Sequence, residues 1–530
     1  MKILVAEPVS PAGVELLKAQ SGWDVVVSDP KGYAAHLHDC DALLVRSAVK
    51  VNADVLAKAP KLRVIGRAGV GVDNVDLPAA TAAGVLVMNT PGGNAVSVAE
   101  HTLGFMLSMA RSIPDASAST KAGKWEKKKF MGNELRGKTL GVLGLGSIGR
   151  EVVTRAKPFG MRVVAYDPFV NPQVAADMGV ELGDLDSVYA QADYVTVHVA
   201  LTKETEKMLN AAAFAKMKKG ARIVNCARGE LLDSAALVAA IQSGHIAGAA
   251  LDVFEKEPPA ADDPILGLPT VLATPHIGGS TEEAQEIVGV RIAEQMVEYL
   301  QNGVALNAVN MPAMSPAQYK AVGPFVTLAE RLGQFAAQIA EGNPKSVRMI
   351  YTGRIADMAT QLLLSAGLAG VLHRSAEGRV NLVNARQIAA DRGLAITELH
   401  QKGASQVDGI RIELETGGGV TSVEGAVVLD KPRLIQVDGV RCEASLGGHV
   451  VFMKNHDVPG VIGYVGGVLG KSGVNIASFS LGRADAAAES GKPLSAVAVV
   501  ETDSAVSEAV LAELLSNPAV RLARPVEFPA

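Results

Sequence analysis

Residues 139–169, TLGVLGLGSIGREVVTRAKPFGMRVVAYDPF, leave few folds open. A β-branched run ends in Gly144, Gly146 and Gly149, spaced G-x-G-x-x-G; a helix-forming stretch follows, and a second apolar run closes on Asp167. That order reads as strand, tight turn, helix and strand, the start of a doubly wound parallel sheet. The glycines allow the turn, let the backbone approach a pyrophosphate and let the helix pack close to the strand. Ser147 and Ile148 open the helix, whose unpaired N–H groups face the anion. An acid at Asp167 can accept hydrogen bonds from ribose hydroxyls and repels a 2′-phosphate, which favours NAD over NADP.

Apolar runs of the same kind recur on both sides of this unit. KILVAE, WDVVVSD, ALLVRS, LRVIGR and VLVMNT, each followed by turn residues or an amphipathic segment, predict a first α/β domain covered on both faces. NAVSVAEHTLGFMLSMARSI, residues 94–113, predicts a long helix from Asn94 that bridges the two units. After the glycine turn come ADYVTVHVALT, GARIVNCARGE, IAGAALDVFEKEPP and TVLATPHIGG, whose polar residues gather at their C-terminal ends. Ligands bind at that edge of a doubly wound sheet. It presents His198, Arg228, Asp252 with Glu257, and His276. An arginine fork can hold a carboxylate or polarise a carbonyl, and an imidazole can move the proton that accompanies hydride transfer. Each residue alone has a plainer account: a surface arginine, a solvated glutamate beside a turn, a histidine capping a helix. Occurring together downstream of the glycine turn, Arg228, Glu257 and His276 make a reaction centre. Cys226 and Ala227 lie beside Arg228, and the thiol reads as a packed side chain rather than a nucleophile.

Composition excludes several classes. Lys+Arg 50 against Asp+Glu 55 gives a net charge of -5, without the basic patch that nucleic acid requires. No apolar stretch is long enough to span a bilayer, and no signal peptide is evident. The three cysteines are far apart and in no metal-ligand spacing, which points to a reducing cytoplasm and no metal site.

LGVLGLGSIGREV, NCARGELLD, GAALDVFEKEPP and TPHIGGST, in this order, resemble the D-2-hydroxyacid dehydrogenase family. LLVRSAVKV, VIGRAGVGVDNVDL, VMNTPGGNAVSVAEHT and GKWEKKKFMGNEL narrow the resemblance to its long-form, phosphoglycerate-oxidising branch. It implies a Rossmann domain (99–285) inserted in a flavodoxin-like substrate domain (1–98 and 286–310), with a cleft that closes on substrate. It further implies oxidation of 3-phosphoglycerate to 3-phosphohydroxypyruvate with NAD, the first step of serine synthesis. Arg228, Glu257 and His276 are then catalytic, with His276 as general acid–base and Glu257 keeping its proton in place. Asp252 and His198 line the nicotinamide end, and Cys226, Ala227, Arg228 and His276 border the coenzyme. Arg46 and Arg67 are the candidate phosphate cations, joined at the substrate by Ser47, Gly69, Val70, Arg228 and His276. Lys127, Lys128 and Lys129 read instead as a solvated charge run. The assembly implied is a homotetramer.

Beyond ALNAVNMPAMSP the composition shifts. Residues 315–446 predict helix, strand and two further helices without any chemical motif, and resemble the intervening α/β domain of the long-form enzymes. Residues 449–530 read β-α-β-β-α-β, a ferredoxin-like order that resembles an ACT domain. The positions matching its L-serine ligands are Asn455, Asp457 and Asn475. Two other readings stay open. A relative acting on glycerate, lactate or 2-hydroxyglutarate keeps Arg228, Glu257 and His276 without needing Arg46 and Arg67 together. Corepressors of the C-terminal-binding-protein kind resemble this fold and bind NAD without turnover.

Overall fold

A computed structural model of the chain describes residues 1–529 apart from 313, 315, 359, 375–378, 403–406 and 485–493. Its first sheet holds β1 (Lys2–Val5), β2 (Asp24–Val27), β3 (Ala42–Val45), β4 (Val64–Arg67) and β5 (Leu86–Met88), all parallel, in the order β2-β1-β3-β4-β5. That is the flavodoxin-like order. Ile3, Leu4, Val5, Leu43 and Leu44 are fully buried, because helices cover both faces and no strand face meets water.

The second sheet holds β6 (Thr139–Leu143), β7 (Arg162–Tyr166), β8 (Glu181–Leu182), β9 (Tyr194–Val197), β10 (Ala221–Asn225), β11 (Ile246–Leu251) and β12 (Val271–Ala273). Its order is β12-β11-β10-β9-β6-β7-β8, again all parallel. Leu143 at the end of β6 pairs with Tyr166 of β7 on one side and Val197 of β9 on the other. The crossovers diverge there, and such a switch point opens a crevice at the carboxyl ends of the strands.

Two helices tie the sheets together. Ala95–Arg111 starts one residue after Asn94, as its sequence predicts, and packs Val98, Ala99, Leu103 and Met106 on Leu140, Val142 and Val152 of the second core. The expected boundary at residue 98 falls within this helix. The returning helix, Glu282–Asn302, packs Val288, Ile292 and Met296 on the first sheet. It begins at Glu282, where Thr281 Oγ1 accepts the N–H of Ala284. Its Gly289 lies so near Gly13 that a Cβ on Gly13 would stand 2.4 Å from the Gly289 carbonyl oxygen.

Downstream, β13 (Ser346–Thr352), β14 (Ala395–Gln401), β15 (Gly409–Thr416), β16 (Gly419–Val428), β17 (Lys431–Val437) and β18 (Val440–Ser445) form one sheet in the order β14-β13-β15-β16-β17-β18. The helices Pro316–Ile339 and Thr360–Leu372 cover one face of it. The hairpins β15 to β18 are absent from the sequence-based expectation. The core-facing positions at the centre of β16 are Val423, Gly425 and Val427, one of them a glycine, so its ten residues carry a weak strand signal.

The last sheet, β19 (His449–His456), β20 (Ile476–Arg483), β21 (Ser495–Thr502) and β22 (Val520–Glu527), is antiparallel in the order β20-β21-β19-β22. With the helices Val461–Lys471 and Glu508–Leu515 it makes the expected ferredoxin-like unit. Its other face packs Phe452, Val499 and Val526 on Phe335 of the long helix, the Phe335 and Phe452 rings 5.7 Å apart and nearly perpendicular. The last two units therefore share one core.

Candidate active site

The turn after β6 shows three distinct uses of glycine. Gly144 has φ +96°, which side chains rarely adopt. A Cβ on Gly149 would stand 2.0 Å from the Gly144 carbonyl oxygen, so helix and turn are in backbone contact. A Cβ on Gly146 would meet nothing within 4 Å, so that side of the backbone is open to a diphosphate at the N-terminus of the helix Ser147–Ala156. Ile148 packs partly buried against the second core. Asp167, just past β7, accepts the Leu145 N–H at 2.8 Å and that of Phe169 at 2.9 Å, which fixes its carboxylate beside the turn. These residues fit NAD.

Four further strands deliver side chains to the same edge. Asn225, at the end of β10 and buried, accepts the Ala227 N–H at 3.0 Å and donates to the Arg228 carbonyl at 2.8 Å. Arg228 is thus held by its backbone, and its Nη1 donates to Ala227 O at 2.7 Å. Gly229 must be glycine, because a Cβ there would fall 1.9 Å from the carbonyl carbon of Phe254. Cys226 is buried, and burial pushes its thiol up to about 12, so it packs as an inert side chain.

Asp252, after β11, organises the segment that carries His276. Its backbone oxygen accepts the His276 N–H at 2.8 Å. Its carboxylate accepts from Ile277 N at 2.8 Å, Gly278 N at 2.7 Å and Thr274 Oγ1 at 2.5 Å, with His101 Nε2 3.4 Å away. Burial pushes this carboxyl up, but the hydrogen bonds from His101, Thr274, Ile277 and Gly278 outweigh it and hold the group below its usual range. Held in this way, His276 sits at φ +53°, a left-handed conformation uncommon outside glycine. Its Nδ1 lies 2.8 Å from Glu257 Oε2, while Glu257 Oε1 accepts the Phe254 N–H at 3.1 Å. A carboxylate at Nδ1 keeps the proton on that nitrogen and leaves Nε2 free to accept one. The helix after His276 is capped by Thr281, so His276 is not its cap.

The first sheet supplies the facing wall. Arg228 Nη2 reaches across to Asp73 Oδ2 at 2.9 Å. Arg67 ends β4; burial, and next the Arg228 charge, lower its pKa, with Arg46 adding to the effect and Asp73 and Glu7 opposing it. Its Nε is buried without a partner. Arg67 and Arg228 both reach the loop from Gly69 to Gly71, whose α-carbons their guanidinium nitrogens crowd, and Arg46 lies on the adjoining loop that Asn74 holds. Gly69 has φ +147° and room for no side chain beside Arg67, and the Val70 carbonyl accepts from Asn89 Nδ2 at 2.5 Å. Ser47 is exposed in the loop after β3. Lys127, Lys128 and Lys129 stay on the surface: Lys129 lies 3.9 Å from Glu126, and Lys127 stands over the Trp125 ring. Glu7, Asp73, Asn89, His101, Asn225 and Thr274 escaped the sequence reading.

His198, after β9, donates or accepts at Nε2 with Thr196 Oγ1, 2.9 Å away, and its Nδ1 is buried without a partner. Burial lowers its pKa from 6.5 to about 3. The unfolded chain therefore binds this proton first as pH falls, and stability should drop between pH 6.5 and about 3. From this group the slope approaches about 1.4 kcal/mol per pH unit. Denaturant titrations at several pH values should show a flatter acid limb for His198→Gln; parallel limbs would remove His198 as the source.

In the ferredoxin-like unit, Asn455 and Asp457 line a cavity of about 390 Å³ together with Phe479 and Arg483. Asn455 is buried, its Oδ1 unpartnered, and Asp457 pairs with Arg483 at 2.9 Å. Asn475 does not line that cavity, contrary to the expected trio; its amide donates to Asp503 at 2.8 Å. It precedes β20, whereas the cavity meets the strand at Phe479 to Arg483, its far half. Among the described residues no cluster of ligands suits a metal ion, and no helix is long and apolar enough to cross a membrane.

Comparison with known proteins decides the family. Residues 103–278 match the D-isomer specific 2-hydroxyacid dehydrogenase, NAD binding domain, and residues 321–438 the D-3-phosphoglycerate dehydrogenase intervening domain. The D-3-phosphoglycerate dehydrogenase of Methanocaldococcus jannaschii is 42% identical over 523 residues, 98% of either chain. That of Bacillus subtilis is 37% identical over 530 residues, 100% of either chain. The chain belongs to the D-3-phosphoglycerate dehydrogenase family. Membership makes it an NAD-dependent oxidoreductase of the 2-hydroxyacid dehydrogenase type. A solved structure, the NAD-dependent formate dehydrogenase of Staphylococcus aureus in complex with NAD, resembles 59% of this chain over 100% of its own, at 28% identity and TM-score 0.52. The TT0316 protein of Thermus thermophilus covers 58% of this chain and 100% of its own, at 33% identity and TM-score 0.54.

Proposed function

We propose that the chain oxidises 3-phospho-D-glycerate to 3-phosphohydroxypyruvate with NAD, the opening step of L-serine synthesis. The observation that carries this reading is the meeting of Arg67 and Arg228 at the Gly69 to Gly71 loop, with Arg46 on the adjoining loop that Asn74 holds. A doubly anionic phosphate and a carboxylate need that much positive charge; an unphosphorylated hydroxyacid needs one arginine.

Bound NAD supplies the hydride acceptor. His276 Nε2 takes the proton of the C2 hydroxyl, and Glu257, at Nδ1, stabilises the imidazolium that forms. Arg228 holds the carboxylate and the developing carbonyl oxygen with its planar fork. Oxidation calls for the unprotonated ring and reduction for the protonated one.

Following NADH absorbance with 3-phosphohydroxypyruvate beside hydroxypyruvate tests the substrate. The phosphorylated acid should be preferred about a hundredfold in kcat/KM, the scale of one or two charge-assisted hydrogen bonds. Equal turnover would end the phosphoglycerate reading and turn attention to the other hydroxyacids.

The ferredoxin-like unit reads as an ACT domain that takes L-serine. The orphaned Oδ1 of Asn455 and the Asp457 carboxylate support an amino-acid ligand, whose ammonium could meet both. Inhibition by serine requires different affinities for two states of the assembly. That assembly reads, from the family resemblance, as a homotetramer, and sedimentation that showed a lone monomer would remove it. Three unpaired, buried thiols fit a reducing cytoplasm.

A further inference from the structure

Glu7 is a carboxylate at the end of an apolar strand. Two residues past β1 it is 4% exposed, and among the described residues no lysine, arginine or histidine lies within ion-pair distance of it, although its charge acts on Arg67. A buried acid without a cationic partner is costly unless its oxygens are hydrogen-bonded. Here they are bonded to a single loop, the one that leaves β3 and carries Arg46 and Ser47. Oε1 accepts the N–H groups of Arg46 at 3.0 Å and Val49 at 2.8 Å; Oε2 accepts that of Ala48 at 3.0 Å.

Of the four successive N–H groups from residue 46 to residue 49, Glu7 takes three. The one it leaves belongs to Ser47, which is exposed. Asn74 grips the same loop by its carbonyls, its Nδ2 donating to Arg46 O at 2.8 Å and to Val49 O at 2.7 Å. Donors and acceptors on the inner side are thus consumed, and the loop has one backbone donor and one guanidinium to offer outward. The Arg46 side chain is held in the same way, Nη1 donating to Pro8 O at 3.2 Å. Such a loop meets an anion without reorganising when it arrives.

We propose that Glu7 is a positioning residue for substrate phosphate: by occupying the N–H groups of Arg46, Ala48 and Val49 it aims the Ser47 N–H and the Arg46 guanidinium at the anion. This rests on the reading of 3-phosphoglycerate as substrate. Glutamine at position 7 keeps the volume but puts an NH2 against the Ala48 N–H, two donors facing each other, so the loop must shift.

Steady-state kinetics of Glu7→Gln in the full-length protein test this. KM for 3-phosphohydroxypyruvate should rise about tenfold or more, the worth of a lost charge-assisted contact, with kcat changed much less. KM for NADH and for hydroxypyruvate should hold, and Glu7→Asp should restore part of the loss. An unchanged KM in a folded variant overturns the proposal, and so does a common rise in all three KM values, which marks general damage. If Glu7→Gln does not fold, Asn74→Ala carries the same comparison with the same expectation, and its failure to split the KM values also overturns it. Should the wild type prefer an unphosphorylated acid, the substrate reading has failed. Glu7 is then judged on that acid: a KM rise for it alone keeps the positioning role, and none removes it.

Discussion

His276→Ala is expected to lower kcat for hydroxyacid oxidation about a thousandfold, midway in the range that positioned acid–base groups contribute. The size follows from the geometry. His276 is bound to Glu257 at 2.8 Å, and its backbone is fixed by the buried Asp252, so no neighbouring imidazole can take its place. His101 bonds to Thr274 and Asp252 behind the turn, and His198 is held neutral by burial. Coenzyme affinity, measured by NADH fluorescence, should fall far less than turnover, since His276 borders the coenzyme but lies outside the glycine turn that meets the diphosphate. Loss of binding and turnover together would indicate a damaged fold, and turnover within tenfold of wild type would remove His276 as the base. A protein acting only through partners would keep its role in this variant.

Arg228→Gln should cost about 10² to 10³ in kcat/KM, the penalty for removing one member of a desolvated charge pair. Arg228 is part-buried, its head set by Ala227 O and Asp73 and its backbone by Asn225. Lysine at this position keeps the charge but loses the fork, so Arg228→Lys should recover only a small part of the loss. Both kcat and KM should move, because the same guanidinium binds the carboxylate and meets the oxygen on which charge develops. A KM effect alone would make Arg228 a binding group with no part in the chemical step.

Wherever one segment contains its own physical reason, the sequence was legible. The glycine turn is such a case: Gly144, Gly146 and Gly149 each do in the structure what their spacing predicts. The β-α-β-β-α-β order of the last unit is another, as is the sequence of strand ends bearing Arg228, Glu257 and His276. Glu7 was within reach and was missed. An acid closing the apolar run KILVA invites the question of what satisfies it when buried, but its partners lie about forty residues away in sequence, at Arg46 to Val49.

By itself the sequence determined the two doubly wound sheets, the dinucleotide turn and the chemical types at the reacting edge, because periodicity, glycine spacing and donor identity are local properties. Tertiary structure alone decided which groups meet. It brought Arg67 and Arg46 of one domain to Arg228 of the other, paired Arg228 with Asp73, hid His101 and Asp252 behind the His276 turn, and left Asn475 away from Asn455. Each of those contacts joins residues far apart in the chain, and a hydrogen bond or ion pair depends on distance in space, which spacing along one segment cannot convey.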